Sequence, residues 1–239
     1  MFKELLLEEI ITFYKKINNH SGPIKIMEMG SGTSSAIKYI LDKGDVDIEY
    51  VGIEPSDTIE IARKNIGTRK NVTLRKEFGY KVGMQESFDI VVSLSVLEHV
   101  KDLPAFIKTS SQFVKKGGIV VHLYDLGHSL YPSSLKEKFQ VFLGNHFPFL
   151  LSQLKFVRYV PLSEASALCE KNGLRVTNVS YHQMPSHKLY ANLMQKRGGI
   201  STEVSKSIFA FEADLSKRLE NDMQKEYLFP SVCLWSAKV

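Results

Sequence analysis

At 239 residues, with 44% hydrophobic and 24% charged side chains, the chain is too long for a mini-domain and too ordinary in composition for wholesale disorder. It is long enough to bury a core without staples, and its two cysteines, Cys169 and Cys233, form no CxxC pair, which argues against a disulfide scaffold or a cysteine-based zinc site. The net charge of +5 suits an anionic substrate, nucleic acid or a membrane surface without choosing among them.

Residues 2–18 read as an amphipathic helix, with Leu6, Ile10, Phe13, Tyr14 and Ile17 on the apolar stripe. Glu4, Glu8 and Glu9 break any leader-like apolar region, and no run of about 18 uncharged apolar residues offers a membrane span. A cytoplasmic protein is expected. Asn18–Pro23 punctuates the chain. Short apolar runs then alternate with helical patterns: strands at Ile24–Met29, Ile48–Ile53, Val72–Arg75 and Phe88–Leu94, and helices over Thr33–Asp42, Asp57–Asn65 and Pro104–Val114. Gly117-Gly118 reads as a turn into a fifth strand, Ile119–Leu123. Such alternation means βαβ units and a parallel sheet covered on both faces. Residues 127–160 break the pattern with Phe139, Phe142, Phe147, Phe149, Phe156 and Tyr159 among Lys136, Lys138, Lys155 and Arg158, and read as an inserted helical segment. A helix over Ser163–Asn172, a sixth strand Leu174–Tyr181, a charged helix 201–223 and a last strand Ser231–Val239 complete the chain.

The first strand–helix turn reads Glu28-Met29-Gly30-Ser31-Gly32-Thr33-Ser34-Ser35. Paired glycines let the backbone turn sharply and approach a ligand, and the next helix start offers unpaired N–H groups. Glu54 ends the second strand 24 residues after Gly30, near the spacing at which an acid reaches a ribose. Dinucleotide enzymes share both features, but Ser35 occupies the last glycine position of their GxGxxG pattern. The fourth strand and its extension read Phe88-Asp89-Ile90-Val91-Val92-Ser93-Leu94-Ser95-Val96-Leu97-Glu98-His99-Val100. Here the chain resembles the class I S-adenosylmethionine-dependent methyltransferases, especially the small-molecule branch, closely over residues 24–125 and more loosely over 163–239.

The resemblance implies a residue-by-residue site. Glu28, Gly30, Ser31 and Gly32 match the loop holding the methionine part of S-adenosylmethionine; Glu54 matches the ribose-binding acid, with Pro55 under the adenine. Glu77, twelve positions before Asp89, matches the acid on the adenine amino group, and Phe78 is the adjacent contact. Leu94, Ser95 and His99 match the segment passing the methionine and the methyl group. Ser34 replaces the family's third loop glycine, and Glu77 stands where Asp is commoner.

A hydroxyl acceptor would need a base, and histidine titrates in the right range. His99 and His128 fall at the ligand edge, whereas His122, inside the fifth strand, reads as a packed sheet residue. Each candidate keeps a structural alternative: His99 as a helix-start residue, His128 subject to the fold around it. No cluster has metal-ligand spacing, so no metal is expected, and Arg63, Lys64, Arg69 and Lys70 read as a solvated face, so no nucleic acid is expected.

The expectation is one doubly wound α/β domain over 1–239, its seven-stranded sheet mostly parallel with an antiparallel last strand, and a helical cap over 127–160. The cap is expected to form two short helices broken near Gly144–Pro148, because Pro148 bars a continuous helix. The expected activity is methyl transfer to a sugar, lipid-linked or secondary-metabolite hydroxyl, by a monomer or homodimer, with a peripheral membrane contact left open. The alternatives are an NAD(P)-dependent oxidoreductase and a non-catalytic cofactor-binding protein.

Overall fold

Seven strands form one sheet in the order β3-β2-β1-β4-β5-β7-β6. They are β1 (Ile24–Met29), β2 (Ile48–Ile53), β3 (Val72–Arg75), β4 (Phe88–Leu94), β5 (Val114–Asp125), β6 (Leu174–His182) and β7 (Ser231–Lys238). The computed structural model describes residues 2–18, 22–79, 88–187, 189–190, 199–219 and 225–239. β7 runs antiparallel to both β5 and β6, while the pairings among β1 to β5 are parallel. The expected architecture is therefore the observed one. The strand order reverses between β1 and β4, the switch point where open α/β sheets leave a crevice at the carboxyl edge.

Two apolar layers sandwich the sheet. One receives α1 (Phe2–Asn18), α2 (Ser35–Lys43) and Ile66 of α3 (Thr58–Ile66); the other receives α4 (Leu103–Phe113) and α7 (Leu162–Lys171). All seven residues of β4 are buried, and each buried Ile or Val there stabilises the fold by about 1.5–3 kcal/mol over exposure. Between β5 and α7 lie α5 (Gly127–Leu130), α6 (Leu135–His146) and two short 3-10 turns, Pro148–Leu150 and Gln153–Lys155. After β6 come α8 (Thr202–Arg218) and the one-turn α9 (Lys225–Leu228). The last residues of the expected 201–223 helix, and residues 19–21 of the first punctuation, lie outside the described residues.

Several local expectations are corrected. The buried face of α1 is wider than one stripe, taking in Leu5, Leu6, Leu7, Ile10, Ile11 and Tyr14, because sheet, α2 and α8 all pack against it. Phe13 and Ile17 are exposed, with Phe13 edge-on to Trp235 at 5.5 Å. Gly117-Gly118 is no turn: β5 already starts at Val114, and the register slips between Phe88↔Val114 and Ile90↔Ile119. The extra residues bulge through Gly117 at φ 77°, and a Cβ on Gly118 would lie 2.8 Å from the Asp89 carbonyl. α7 starts at Leu162, with Pro161 as the flanking residue instead of Ser163. In the 127–160 segment the break falls at Phe147-Pro148, and the chain continues in 3-10 turns, not a second α-helix. Gly144 stays inside α6 because a Cβ there would sit 1.9 Å from the Val157 carbonyl oxygen.

Candidate active site

The carboxyl edge gathers the loop after β1, the segment after β4 and the start of the 127–160 segment. Gly30 turns at φ 82°, and its N–H and that of Ser31 both donate to the Ile53 carbonyl, at 2.8 and 2.9 Å. A Cβ on Gly30 would meet Val96 at 2.6 Å, so its smallness serves the packing of the β4 extension. At Gly32, φ 52°, a Cβ would meet nothing within 4 Å; this is the open side of the loop. Ser34 takes the left-handed conformation (φ 55°, ψ 30°) natural to the glycine it replaces.

Glu54 is buried beneath this loop. One carboxylate oxygen accepts the Gly32 N–H at 3.0 Å and the other accepts Ser56 N–H at 2.9 Å. A carboxylate has about four lone-pair sites, so one remains on each oxygen, a pair suited to adjacent ribose hydroxyls. Pro55, half-buried, begins the turn that supplies Ser56. Glu28 is also buried, and Tyr50 donates to it at 2.6 Å; burial pushes its carboxyl up to about 7 against that hydrogen bond. Glu77 pairs loosely with Arg75 at 3.7 Å, and Phe78 is half-buried beside it. Their loop lies against the end of β1, since a Cβ on Gly79 would touch Met29 at 2.8 Å.

Leu94 is buried, and its carbonyl accepts Lys3 Nζ at 2.8 Å, bringing the first turn of α1 to the site. Ser95 is a left-handed residue at φ 63°, fixed by its N–H to the Leu123 carbonyl at 2.8 Å. A non-glycine residue held there stores on the order of 1 kcal/mol of strain, a frequent mark of functional loops. A short 3-10 turn then carries Glu98 inward and His99 to the rim.

His99 Nδ1 lies 3.0 Å from the Phe156 carbonyl, which can only accept, so this nitrogen carries the proton and Nε2 holds the lone pair. Burial lowers the His99 pKa, outweighing that hydrogen bond. The His128 ring stands edge-on to His99, centroids 5.5 Å apart, with its Nδ1 2.5 Å from Glu137. Burial alone would raise the Glu137 carboxyl; hydrogen bonds from His128 and from the Ser133 N–H and hydroxyl overcome it and hold the pKa near about 2. Both histidines line an open cleft of about 320 Å³ with Glu137, Gln140 and Phe156.

Glu98, behind His99, accepts the Asp125 N–H at 3.2 Å through one oxygen, and its other oxygen is buried with no hydrogen-bond partner among the described residues. Burial raises its carboxyl to about 8. One donor atom each from Glu98, His99 and His128 lies within 4.8 Å of the others, a grouping the expectation of no metal ligands did not foresee. With Glu98 protonated, the group presents an O–H and two imidazoles, a set suited to holding and passing a proton. The structure thus brings His99 and His128 together, as it does Gly30, Gly32 and Glu54. His122 is a fully buried sheet residue bonded to Ser93 at 2.8 Å.

Sequence reasoning missed Lys3, Glu98 and Glu137. Glu98 lay inside the quoted motif, and Glu137 follows Ser134 at capping-box spacing, which signals a helix start. The box is real in part: Ser134 Oγ accepts the Glu137 N–H at 3.2 Å, while the carboxylate reaches back to Ser133 and on to His128. Nothing in the sequence announced the Lys3 contact.

A family model described as a methyltransferase domain matches residues 2–179. Among curated proteins, a ubiquinone biosynthesis O-methyltransferase from Pelagibacter ubique is 32% identical over 104 residues, covering 41% of this chain and 40% of its own. One of the same name from Rhodopseudomonas palustris is 27% identical over 100 residues, 41% and 38% of the two chains. The chain spans about 40% of the length of these relatives. Among solved structures, phosphoethanolamine N-methyltransferase 2 of Haemonchus contortus, in complex with S-adenosyl-L-methionine, superposes with a TM-score of 0.61 at 15% identity, covering 97% of this chain and 52% of its own. Geranyl diphosphate C-methyltransferase of Streptomyces coelicolor, with S-adenosyl-L-homocysteine, gives 0.59 at 15%, covering 98% and 80%.

Proposed function

The chain belongs to the methyltransferase-domain family, on the class I S-adenosylmethionine-dependent fold, and from that premise we propose that it methylates the hydroxyl of a small-molecule acceptor held under residues 127–160. The family assignment sets aside the nicotinamide reading. Residues 1–239 act in this proposal as one domain, with 127–160 as its cap. When bound, S-adenosylmethionine supplies a methyl carbon on a sulfonium sulfur, a leaving group that needs no further activation. Glu28, Gly30, Ser31, Gly32, Glu54, Pro55, Glu77, Phe78, Leu94 and Ser95 would hold it. The spare lone pairs of Glu54 and the open side of Gly32 fit such a ligand.

The protein's own work is to exclude water, orient the acceptor oxygen and take its proton. The observation that carries the reading is the His128–Glu137 pair opposite His99 in one cleft. Glu137 fixes the His128 tautomer, leaving Nε2 to receive the acceptor's hydroxyl proton, and its charge offsets the imidazolium that results. His99, neutral and bonded to Phe156 through Nδ1, keeps its Nε2 lone pair for another donor group of the acceptor, since the reacting hydroxyl gives its one proton to His128. Oxygen as the methylated atom is supported by the curated relatives' names, and a sugar, lipid-linked or secondary-metabolite hydroxyl would suit the cleft.

Calorimetric titration with S-adenosylhomocysteine and NADH, followed by methyl-transfer assays on a panel of phenols, glycosides and prenols, tests this. Only the former ligand should bind, and His128→Asn should lower kcat by about 10²–10⁴ with S-adenosylhomocysteine affinity within a few-fold. NADH binding, or full turnover by both His128→Asn and His99→Asn, would sink the proposal.

A further inference from the structure

The helix α6 is inside out. Its inner side presents Glu137, Gln140, Val141 and Gly144 to the cleft and to Val157. Its outer side presents Leu135, Phe139 and Phe142, at four- and three-residue spacing, with exposures of 86%, 61% and 49%. A helix on a water-facing surface carries the opposite pattern. The apolar face does not stop at the helix end: the Phe142 ring lies 6.1 Å from Phe147, and Phe147 lies 6.3 Å from Phe149. Phe149 and Leu150, on the 3-10 turn after Pro148, are 76% and 60% exposed. Scattered apolar residues on a surface are ordinary; a continuous band of this kind marks a contact.

The charge on the band is of one sign. Lys138 is exposed beside it, and Lys136 and Lys155 are exposed where it meets the rim of the cleft, which they also line, whereas Arg158 is engaged by Glu164 at 2.8 Å. The one acid between residues 127 and 160, Glu137, is turned inward on His128 and Ser133. A second copy of the chain docked face to face on this band by a twofold axis would bring two sets of these lysines into one interface, with no outward-turned acid of the segment to offset them. An anionic bilayer answers both features, with lipid phosphates meeting the lysines and the acyl boundary receiving the aromatic side chains.

We propose that the outer face of α6, with the Phe147–Leu150 turn, docks on an anionic membrane surface, the lysines at the headgroups and Phe149 and Leu150 inserted below them. Docking of this face does not depend on the identity of the methyl acceptor. The whole chain should co-sediment with vesicles of 70:30 phosphatidylcholine and phosphatidylglycerol at least about tenfold more than with phosphatidylcholine alone, and the bound fraction should fall as salt rises. Phe149→Ser with Leu150→Ser, and separately Lys136→Glu with Lys138→Glu, should each cut binding about tenfold with unchanged circular dichroism, because these side chains are exposed. Phe149→Trp gives a reading independent of stability, since its emission should shift to the blue on anionic vesicles only. Equal binding to both vesicle types, or wild-type binding by both paired variants, would overturn the proposal. So would a concentration-dependent dimer that Phe149→Ser with Leu150→Ser abolishes in a chain that binds no vesicle, which would assign the face to a second copy.

Discussion

Gly30 and Gly32 stand two residues apart and answer to different constraints. A Cβ at Gly30 collides with Val96, whereas one at Gly32 enters open space, although both positions carry positive φ. Gly30→Val should therefore lower stability by about 3 kcal/mol or more through overpacking and backbone strain. Gly32→Ala should fold, at a cost of about 1–2 kcal/mol, and lose S-adenosylhomocysteine affinity. Thermal melts beside calorimetry separate the two, and equal melting temperatures for both variants would refute the distinction. Glu28 adds a pH signature. Its folded pKa of about 7 exceeds the unfolded value of about 4.3, so above pH 4.3 the folded state retains a proton that the unfolded chain has released. Stability is therefore lost as pH rises from about 5 to 7, and Glu28→Gln, which keeps an acceptor for Tyr50, should escape that loss. The gap in Tm between variant and wild type should widen over this range by several degrees, on the order of 3 kcal/mol; a pH-independent gap would show that Glu28 does not carry the proton. The loop glycines and Glu54 were legible in sequence because strand, turn and helix fix their spacing locally. Lys3 was not, since its partner Leu94 lies 91 positions away.

Among the elements, the strands other than β5 were legible to within a residue or so, and β4, buried on both faces, announces itself as an unbroken apolar run. The β5 bulge was hidden because Gly-Gly reads the same in a turn and in a bulge, and only pairing with β4 distinguishes them. The 127–160 segment was half legible: Pro148 gave the break, but the close approach of Gly144 to Val157 has no local signal. That approach also limits how the cap can be deleted. Phe156 and Val157 are core residues, so a cut through them would unfold the protein whatever the cap does. Replacing residues 133–153 by a Gly/Ser bridge spares both. The expected outcome is a folded protein with S-adenosylhomocysteine affinity within a few-fold and no transfer, since Glu137 leaves with the segment. Undiminished transfer by the shortened chain would remove the cap from the reaction.

Across the whole molecule, the mostly parallel sheet could be anticipated from the alternation of elements, while the closure of the two layers depends on contacts remote in sequence. Asp89 is such a point. It sits at the amino end of β4, accepts Tyr14 Oη at 2.7 Å and Lys25 N–H at 2.7 Å, and is paired with Lys115. The FD pair that helped to identify the chain thus ties α1, β1 and β5 together on the edge opposite the candidate site. Tyr14 and Asp89 are 75 residues apart. On a ribosome adding about 5–20 residues per second, α1 waits roughly 4–15 seconds for that partner to be made. Through this interval Leu6, Leu7, Ile10 and Ile11 lack the completed sheet that buries them. Synthesis and final docking of α1 are therefore separated in time, and this helix is a natural place for a chaperone to hold the nascent chain.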